Sequence, residues 1–524
     1  MQFNPDAADK SVDRRTFLRA AGLGLTLPFA TGLLTPASAA RVRRARTAAT
    51  TTTTAVPRIS TLRIGVVTPV LVADPAIVLT ATERLATALV GDHLCATDAG
   101  YALVPRLATS WRANASGTEW LFSLRPAVTF HDGTALDADD VVATFRRILS
   151  IGGSAASPLL GYLSAADVNK VDSLTVRFRL NAPTGSFPYL VSSENPGAVI
   201  TPAKWRPGPG WFIGTGSWRP DLTGVPGELT FARSATAWRS TLPAVVSRIV
   251  LVPVGDESVG VDNVSSGRLD ALASVSPSVA ASLLGSSSAR VQVTRTAAHT
   301  QIHMRTDQGP FKDVRTRQAL ALSIDRAELV RTHMSTFADI GDDSPVAPSM
   351  PASSSVARSR DVALAKRLMK SAGLRRGFDT TLSLSTTPND ASLASALAAS
   401  ATDIGIRIVP SPSPTYLQTD WLTSDFGITN YEHRINSASV LGASLASDGA
   451  WNAAHYRRST FDTLVRTYAT SLDLGAQRVA AHSIWARLQQ DTPVLIPFFR
   501  QRLALFGVGF SGLRFTALDQ LDTV

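Results

Sequence analysis

Residues 118–149, TEWLFSLRPAVTFHDGTALDADDVVATFRRIL, constrain the fold more than any other stretch, because the hydrophobic period changes inside them. Trp120, Phe122 and Leu124 alternate with Glu119, Leu121, Ser123 and Arg125, which predicts a strand with one buried face. Phe130 then leads into His131-Asp132-Gly133-Thr134, a turn cluster. Asp137 is placed to cap a helix. Asp140, three residues on, sets a carboxylate at that helix's positive end. Val141, Val142, Phe145, Ile148 and Leu149 supply the apolar stripe. The stretch therefore reads as strand, turn and helix.

At 524 residues the chain is too long for a single core, so two or three lobes are expected. Its one cysteine, Cys95, excludes an internal disulfide and reads as buried filler in an apolar stretch. The N-terminus reads as an export signal. Asp13-Arg14-Arg15-Thr16-Phe17-Leu18-Arg19 is a twin-arginine pattern, followed by an uncharged apolar run over 20–34 that is short for a membrane span, and by Ala37-Ser38-Ala39 at a cleavage site. No cysteine lies near residue 40, so no lipid anchor is expected. The formal charge of +10 is unevenly spread: residues 1–39 carry +1, residues 40–63 carry +6 and the remainder +3. A nucleic-acid-binding face on the folded body is not indicated.

Residues 40–61, rich in Arg, Ala and Thr, lack an apolar period and are expected to be a disordered linker. Strands are predicted at 62–67, 174–180, 248–254, 382–384, 404–409 and 494–499, with the second pairing with 119–125. Helices are predicted at 81–90, 313–321, 325–333, 361–372, 393–403, 461–471 and 476–490. Helix and strand alternate after His299, as in an α/β lobe. Residues 335–358 and 424–456 show the least regularity.

Five ordered stretches carry a resemblance. They are Pro105-Arg106-Leu107-Ala108-Thr109-Ser110-Trp111; Leu124–Val142; Gly214-Thr215-Gly216-Ser217-Trp218; Pro310–Asp325; and Ala365–Gly373. Together they resemble the substrate-binding proteins of bacterial oligopeptide, dipeptide and nickel ABC transporters, solute-binding protein family 5. Leu124–Val142 is the most specific of the five. The resemblance implies an α/β, two-lobed, hinge-linked fold of the periplasmic-binding-protein kind, of the class with an extra subdomain. On this chain the first lobe is expected at 62–298 with the extra subdomain at about 90–240, the second at 299–490, and a return to the first at 491–524. Hinge strands are expected near 298–303 and 493–498.

The resemblance also sets the functional expectation. This is an exported receptor that binds a peptide or other small solute between its lobes and delivers it to an ABC permease and ATPase complex. It is expected to be monomeric, with no cofactor, no nucleic acid and no catalysis, at the periplasm or the outer face of the cytoplasmic membrane. In peptide-binding relatives a Trp and, three residues later, an Asp receive the ligand's α-amine. Tyr431 takes the aromatic place here and Arg434 the acidic one. A cation does not hold an ammonium group, so either Glu432 serves or the ligand is anionic or uncharged. Arg434 suits a carboxylate or phosphate through its planar fork. The ligand-binding residues expected on this basis are Tyr431, Glu432, His433, Arg434, Asn436, Trp451, Asn452, Arg305, His303, Trp211 and Thr215, with Trp218 as a further aromatic wall.

Other motifs are read structurally. His131-Asp132-Gly133 and Asp139-Asp140 serve as turn and helix start. Gly507-Val508-Gly509-Phe510-Ser511-Gly512 has the letters of a dinucleotide fingerprint but no room for the helix and strand that it needs. Only His299 with His303 and His433 with His455 are locally paired, so no metal site is expected. Two alternatives stay open: an exported hydrolase, for which no nucleophile–base motif is present, and a receptor or wall-binding protein without transport.

Overall fold

The computed structural model describes residues 60–523, apart from 68–73 and single loop positions 209, 224, 226, 240, 241, 243, 244, 354, 355 and 511. The twin-arginine stretch and the 40–59 part of the linker lie outside the described residues.

Two large sheets divide the body. The first has seven strands in the order Ala289–Thr294, Arg502–Gly507, Ala271–Leu272, Thr61–Val66, Arg248–Pro253, Leu229–Arg233 and Trp218–Asp221. Its centre is parallel: Thr61 to Val66 run in register with Arg248 to Pro253. Both central strands are predominantly apolar, and their faces are covered by two separate apolar clusters. In the second sheet His299–Met304 is central. It pairs with Phe426–Tyr431 and Val494–Leu495, and meets Phe498–Arg500 through His299 and Phe499. Phe378–Leu384 and Ile406–Pro412 are parallel and joined through the helix Pro388–Thr402. That helix starts earlier than its apolar pattern predicts, because Thr387 caps Asp390 and Pro388 suits a first helical turn.

The opening stretch builds a smaller four-stranded sheet. Glu119–Leu124 lies between Ala108–Ala113 and Thr175–Arg179, which is the predicted strand pair. The helix Ala138–Ile151 packs on it, burying Val141, Val142, Phe145 and Ile148 in one core with Phe122, Phe178 and Phe187. A full capping box holds its start: Asp137 accepts from Asp139 N–H, and Asp140 accepts from Asp137 N–H at 2.9 Å. His131 ties this unit to the first sheet, its backbone N–H donating to Gly214 O at 2.9 Å and Nε2 bonding Gly216 O at 2.8 Å. The turn chemistry is thus structural. Cys95 is buried, with its thiol donating to Pro188 O at 3.2 Å, and burial pushes its pKa up.

The chain crosses between the two large sheets at two adjacent places. It leaves the first through 295–298 and returns through Gln501 alone. The crossings are sewn together, Thr296 donating to Arg500 O at 2.6 Å and Arg500 N–H to Ala298 O at 2.7 Å. The return comes later than the 491 boundary read from sequence, because Val494–Leu495 and Phe498–Arg500 both pair in the second sheet. The expected single strand 494–499 is broken at Ile496-Pro497, where proline has no N–H for a ladder. Residues 424–456 are more ordered than their composition suggests, holding the strand Phe426–Tyr431 and the helix Ser437–Leu445.

Candidate ligand site

The second sheet is two-faced. Ile302, Met304, Phe426 and Ile428 point into the apolar core beneath the helices Val314–Ser323 and Pro388–Thr402. By strand alternation His299, Gln301, His303, Thr429 and Tyr431 share the other face. The end of this face, where Tyr431 pairs with His299, is where the strand gives way to the loop 432–436. Tyr431 is buried, stacks on His299 at 5.0 Å and nearly parallel, and meets Trp451 at 6.2 Å. Arg500 secures this end from behind, donating to Tyr431 O at 2.9 Å and to Asn430 Oδ1 and Thr300 Oγ1 at 3.1 Å. Burial lowers the Arg500 pKa.

Residues of the small-sheet unit reach this point. His433 is buried, its Nδ1 accepting from Ala297 N–H at 2.9 Å and its Nε2 lying 3.0 Å from Glu194 Oε2. A ring nitrogen that accepts a backbone N–H carries no proton, so Nε2 holds the hydrogen and donates to the carboxylate. Glu194 is further fixed by Thr97, whose hydroxyl donates to Oε1 at 2.5 Å. Tyr101 stacks on His433 at 5.3 Å and donates its hydroxyl to Arg295 O at the crossing. Tyr189 in turn donates to Tyr101 O at 3.0 Å. The two halves of the chain therefore meet over one imidazole.

Arg434 is exposed, its guanidinium lying over the Trp451 ring at 5.5 Å. It makes no ion pair among the described residues. Glu432 projects outward, 83% exposed, and is 3.6 Å from Arg500. Asn436 is buried at the start of the helix Ser437–Leu445, and its Oδ1 has no hydrogen-bond partner among the described residues. Tyr431, Glu432, His433, Arg434, Asn436 and Trp451 thus gather in one region, next to Tyr101 and Glu194.

The remaining expected ligand residues are placed elsewhere. Trp211 packs edge-on against Phe231 at 5.4 Å in the first-sheet core. Trp218 is fully buried in the same core. Thr215 is buried and donates to Asp92 Oδ2 at 3.2 Å. Asn452 spends its amide on its own loop, donating to Ala446 O and Tyr456 O and accepting from Tyr456 N–H. His303 bonds Ser424 O through Nε2 at 3.1 Å inside the sheet, and burial lowers its pKa to about 4. Arg305 is held bidentately by Asp307 at 2.8 and 2.9 Å, at the far end of the strand from Tyr431. In each of these the side chain is already satisfied or packed, which correct pattern reading from sequence does not reveal. Nothing in the sequence singles out Tyr101 or Glu194 as site neighbours. Tyr101 adopts φ 64°, an unusual conformation for a residue other than glycine, and its hydroxyl reaches Arg295 O at the crossing.

The profile of bacterial extracellular solute-binding proteins, family 5 Middle, matches residues 102–443. The periplasmic oligopeptide-binding protein OppA of Escherichia coli (strain K12) is 24% identical over 456 residues, covering 80% of this chain and 82% of that protein. The glutathione-binding protein GsiB of the same strain is 26% identical over 285 residues, 53% of this chain and 54% of that protein. The structure of HbpA2 from Haemophilus parasuis superposes with a TM-score of 0.80 at 19% identity, covering 88% of this chain and all of the other.

Proposed function

The chain belongs to the bacterial extracellular solute-binding proteins of family 5, and from that premise we propose that it is the exported receptor of an ABC importer, binding a small solute between its lobes and handing it to a permease. The observation that carries this reading is the meeting of Tyr101 and Glu194 from the first half of the chain with His433 from the second, two residues along from Tyr431 and its neighbour Trp451. A solute touching both sides favours the closed arrangement over the open one, and that differential contact is what couples binding to closure.

The ligand chemistry follows from the side chains. Tyr101, Tyr431 and Trp451 give aromatic walls. Arg434 stands unpaired beside Trp451, as a planar donor fork for a carboxylate. Glu194 is occupied by His433 and Thr97, so it is not free to take an amine while that contact stands. We infer a short peptide or related acid held through its carboxylate rather than its amine. OppA and GsiB, which bind oligopeptides and glutathione by their names, bear on the solute class. The lobe limits proposed are 62–298 with the returning C-terminal segment, and 299 to the return crossing. No turnover is assigned.

Mass spectrometry of solutes released from natively purified protein tests the reading, together with a thermal-shift screen of peptides, opines, sugars and metal chelates. A solute present at about a hundred times its Kd should add roughly 2.7 kcal/mol to stability. Absence of any co-purified solute together with no shift across the screen would count decisively against it. Binding that survives Arg434→Gln unchanged would remove the carboxylate assignment and leave the receptor reading intact.

A further inference from the structure

The body's excess positive charge is gathered in one place. Two stretches, 309–315 and 362–378, carry Lys312, Lys366, Arg367, Lys370, Arg375 and Arg376, all exposed and none in a hydrogen bond or ion pair through its side chain among the described residues. Three of these are among the six lysines of the whole chain. The stretches are neighbours in space. The helix Val362–Ser371 packs on Val314–Ser323, and Arg315 donates to Ser371 O at 2.6 Å. Lys312, Asp313, Ala372 and Leu374 line a shallow concavity of about 430 Å³ between them. Arg315 is the paired exception, bound to Asp313. Counting both, the patch holds +6 in a segment, 64–524, whose total is +3, so the rest of that segment is net negative. The polarity is a property of the folded body, separate from the basic tail at 40–63.

We propose that this face of the second lobe docks on an anionic phospholipid surface. The assignment rests on the exported reading above. The patch has long, flexible cations and no large apolar side chain exposed in either stretch. Protein–protein interfaces concentrate aromatic residues, Met and Arg around an apolar centre and are depleted in Lys. A field of unpaired Lys and Arg without such a centre is instead suited to phosphate headgroups, each cation adding an increment that salt screens. No described helix is long and apolar enough to cross a membrane. Electrostatic docking would keep the receptor beside the bilayer while leaving the Tyr431–Asn436 region, at the far side of the second sheet's core, unobstructed.

The test is co-sedimentation of the chain recovered from the exported fraction with vesicles of phosphatidylglycerol and phosphatidylcholine in equal parts, against phosphatidylcholine alone. Binding to the anionic vesicles only, abolished by 0.5 M salt, is expected. The variant K366Q/R367Q/K370Q/R375Q/R376Q should lower partitioning by at least about tenfold, with its melting temperature unchanged. A second variant, R41Q/R43Q/R44Q/R46Q, should retain most of the binding. Equal binding of the first variant and the unaltered chain overturns the proposal, as does loss of binding in the second alone. Absence of binding to anionic lipid, with binding to permease-containing vesicles that the five substitutions remove, would also overturn it and assign the face to a protein. Loss of docking with solute affinity intact separates this proposal from the receptor reading on which it rests.

Discussion

Three buried histidines contribute to the response of this protein to acid. Burial lowers the pKa of His93, His299 and His303 to about 4, against an ordinary value of 6.5. Their folded form is neutral, so the stability they confer is complete above pH 6.5, where the unfolded chain is neutral too. Between 6.5 and 4 the unfolded chain takes up protons that the folded one refuses, and stability falls by roughly 1 kcal/mol per pH unit for each histidine. Urea midpoints measured from pH 7.5 to 4.5 should decline steeply, and His303→Gln should make the slope shallower. A flat profile over that range would refute the burial argument. His433 joins the two halves of the chain at the candidate site. Replacing it by alanine leaves Glu194 Oε2 without its donor, with Thr97 still bonded to Oε1, and should cost about 1–3 kcal/mol, whereas Glu194→Gln, which can still accept from Nε2, should cost less. Equilibrium denaturation of the two variants checks the order. Tyr431 and Arg434 could be proposed as site residues from sequence because their position relative to a family motif is local. Glu194 could not, since nothing near Ser193-Glu194-Asn195 says that its partner lies 239 residues away.

At the scale of elements, the strand–turn–helix at 118–149 was legible because period, turn chemistry and capping agree there. Asp137→Ala should cost about 1 kcal/mol by removing the cap, and Asp137→Asn much less; thermal denaturation of both variants measures this. The strand Phe426–Tyr431 was hidden for the opposite reason. Its Gly427 and Asn430 are poor strand formers, and the strand exists because both neighbours pair with it in the middle of a sheet. Gly427 is required there. A methyl group at that position would overlap the Tyr416 hydroxyl and come within 2.6 Å of His303 Cε1. Gly427→Ala should therefore destabilise by roughly 1–3 kcal/mol, seen as a lower urea midpoint; a neutral result would mean that Tyr416 moves aside at no cost.

At the scale of the molecule, the two halves touch at a second place. Gly185 N–H donates to Ala469 O at 2.9 Å, and a side chain on Gly185 would overlap the Ser471 carbonyl. Gly185→Val should push the halves apart without disturbing either core, weakening solute binding several-fold and enlarging the radius of gyration in small-angle scattering. Unchanged scattering and affinity would show that this contact plays no part in closure. The α/β class and the order of the segments were readable from sequence because both follow from periodicity and local motifs, but the return point of the chain was not, since it depends on which sheet claims a short strand. That return has a further consequence. The strand Arg502–Gly507 lies between Ala289–Thr294 and Ala271–Leu272, so the first sheet keeps an open gap until residues 502–507 have left the ribosome. The second sheet is finished within 299–500, from one continuous stretch. Synthesis therefore delivers the later lobe before the earlier one can close, and a nascent chain stalled short of residue 502 would present two unpaired strand edges to any chaperone waiting for it.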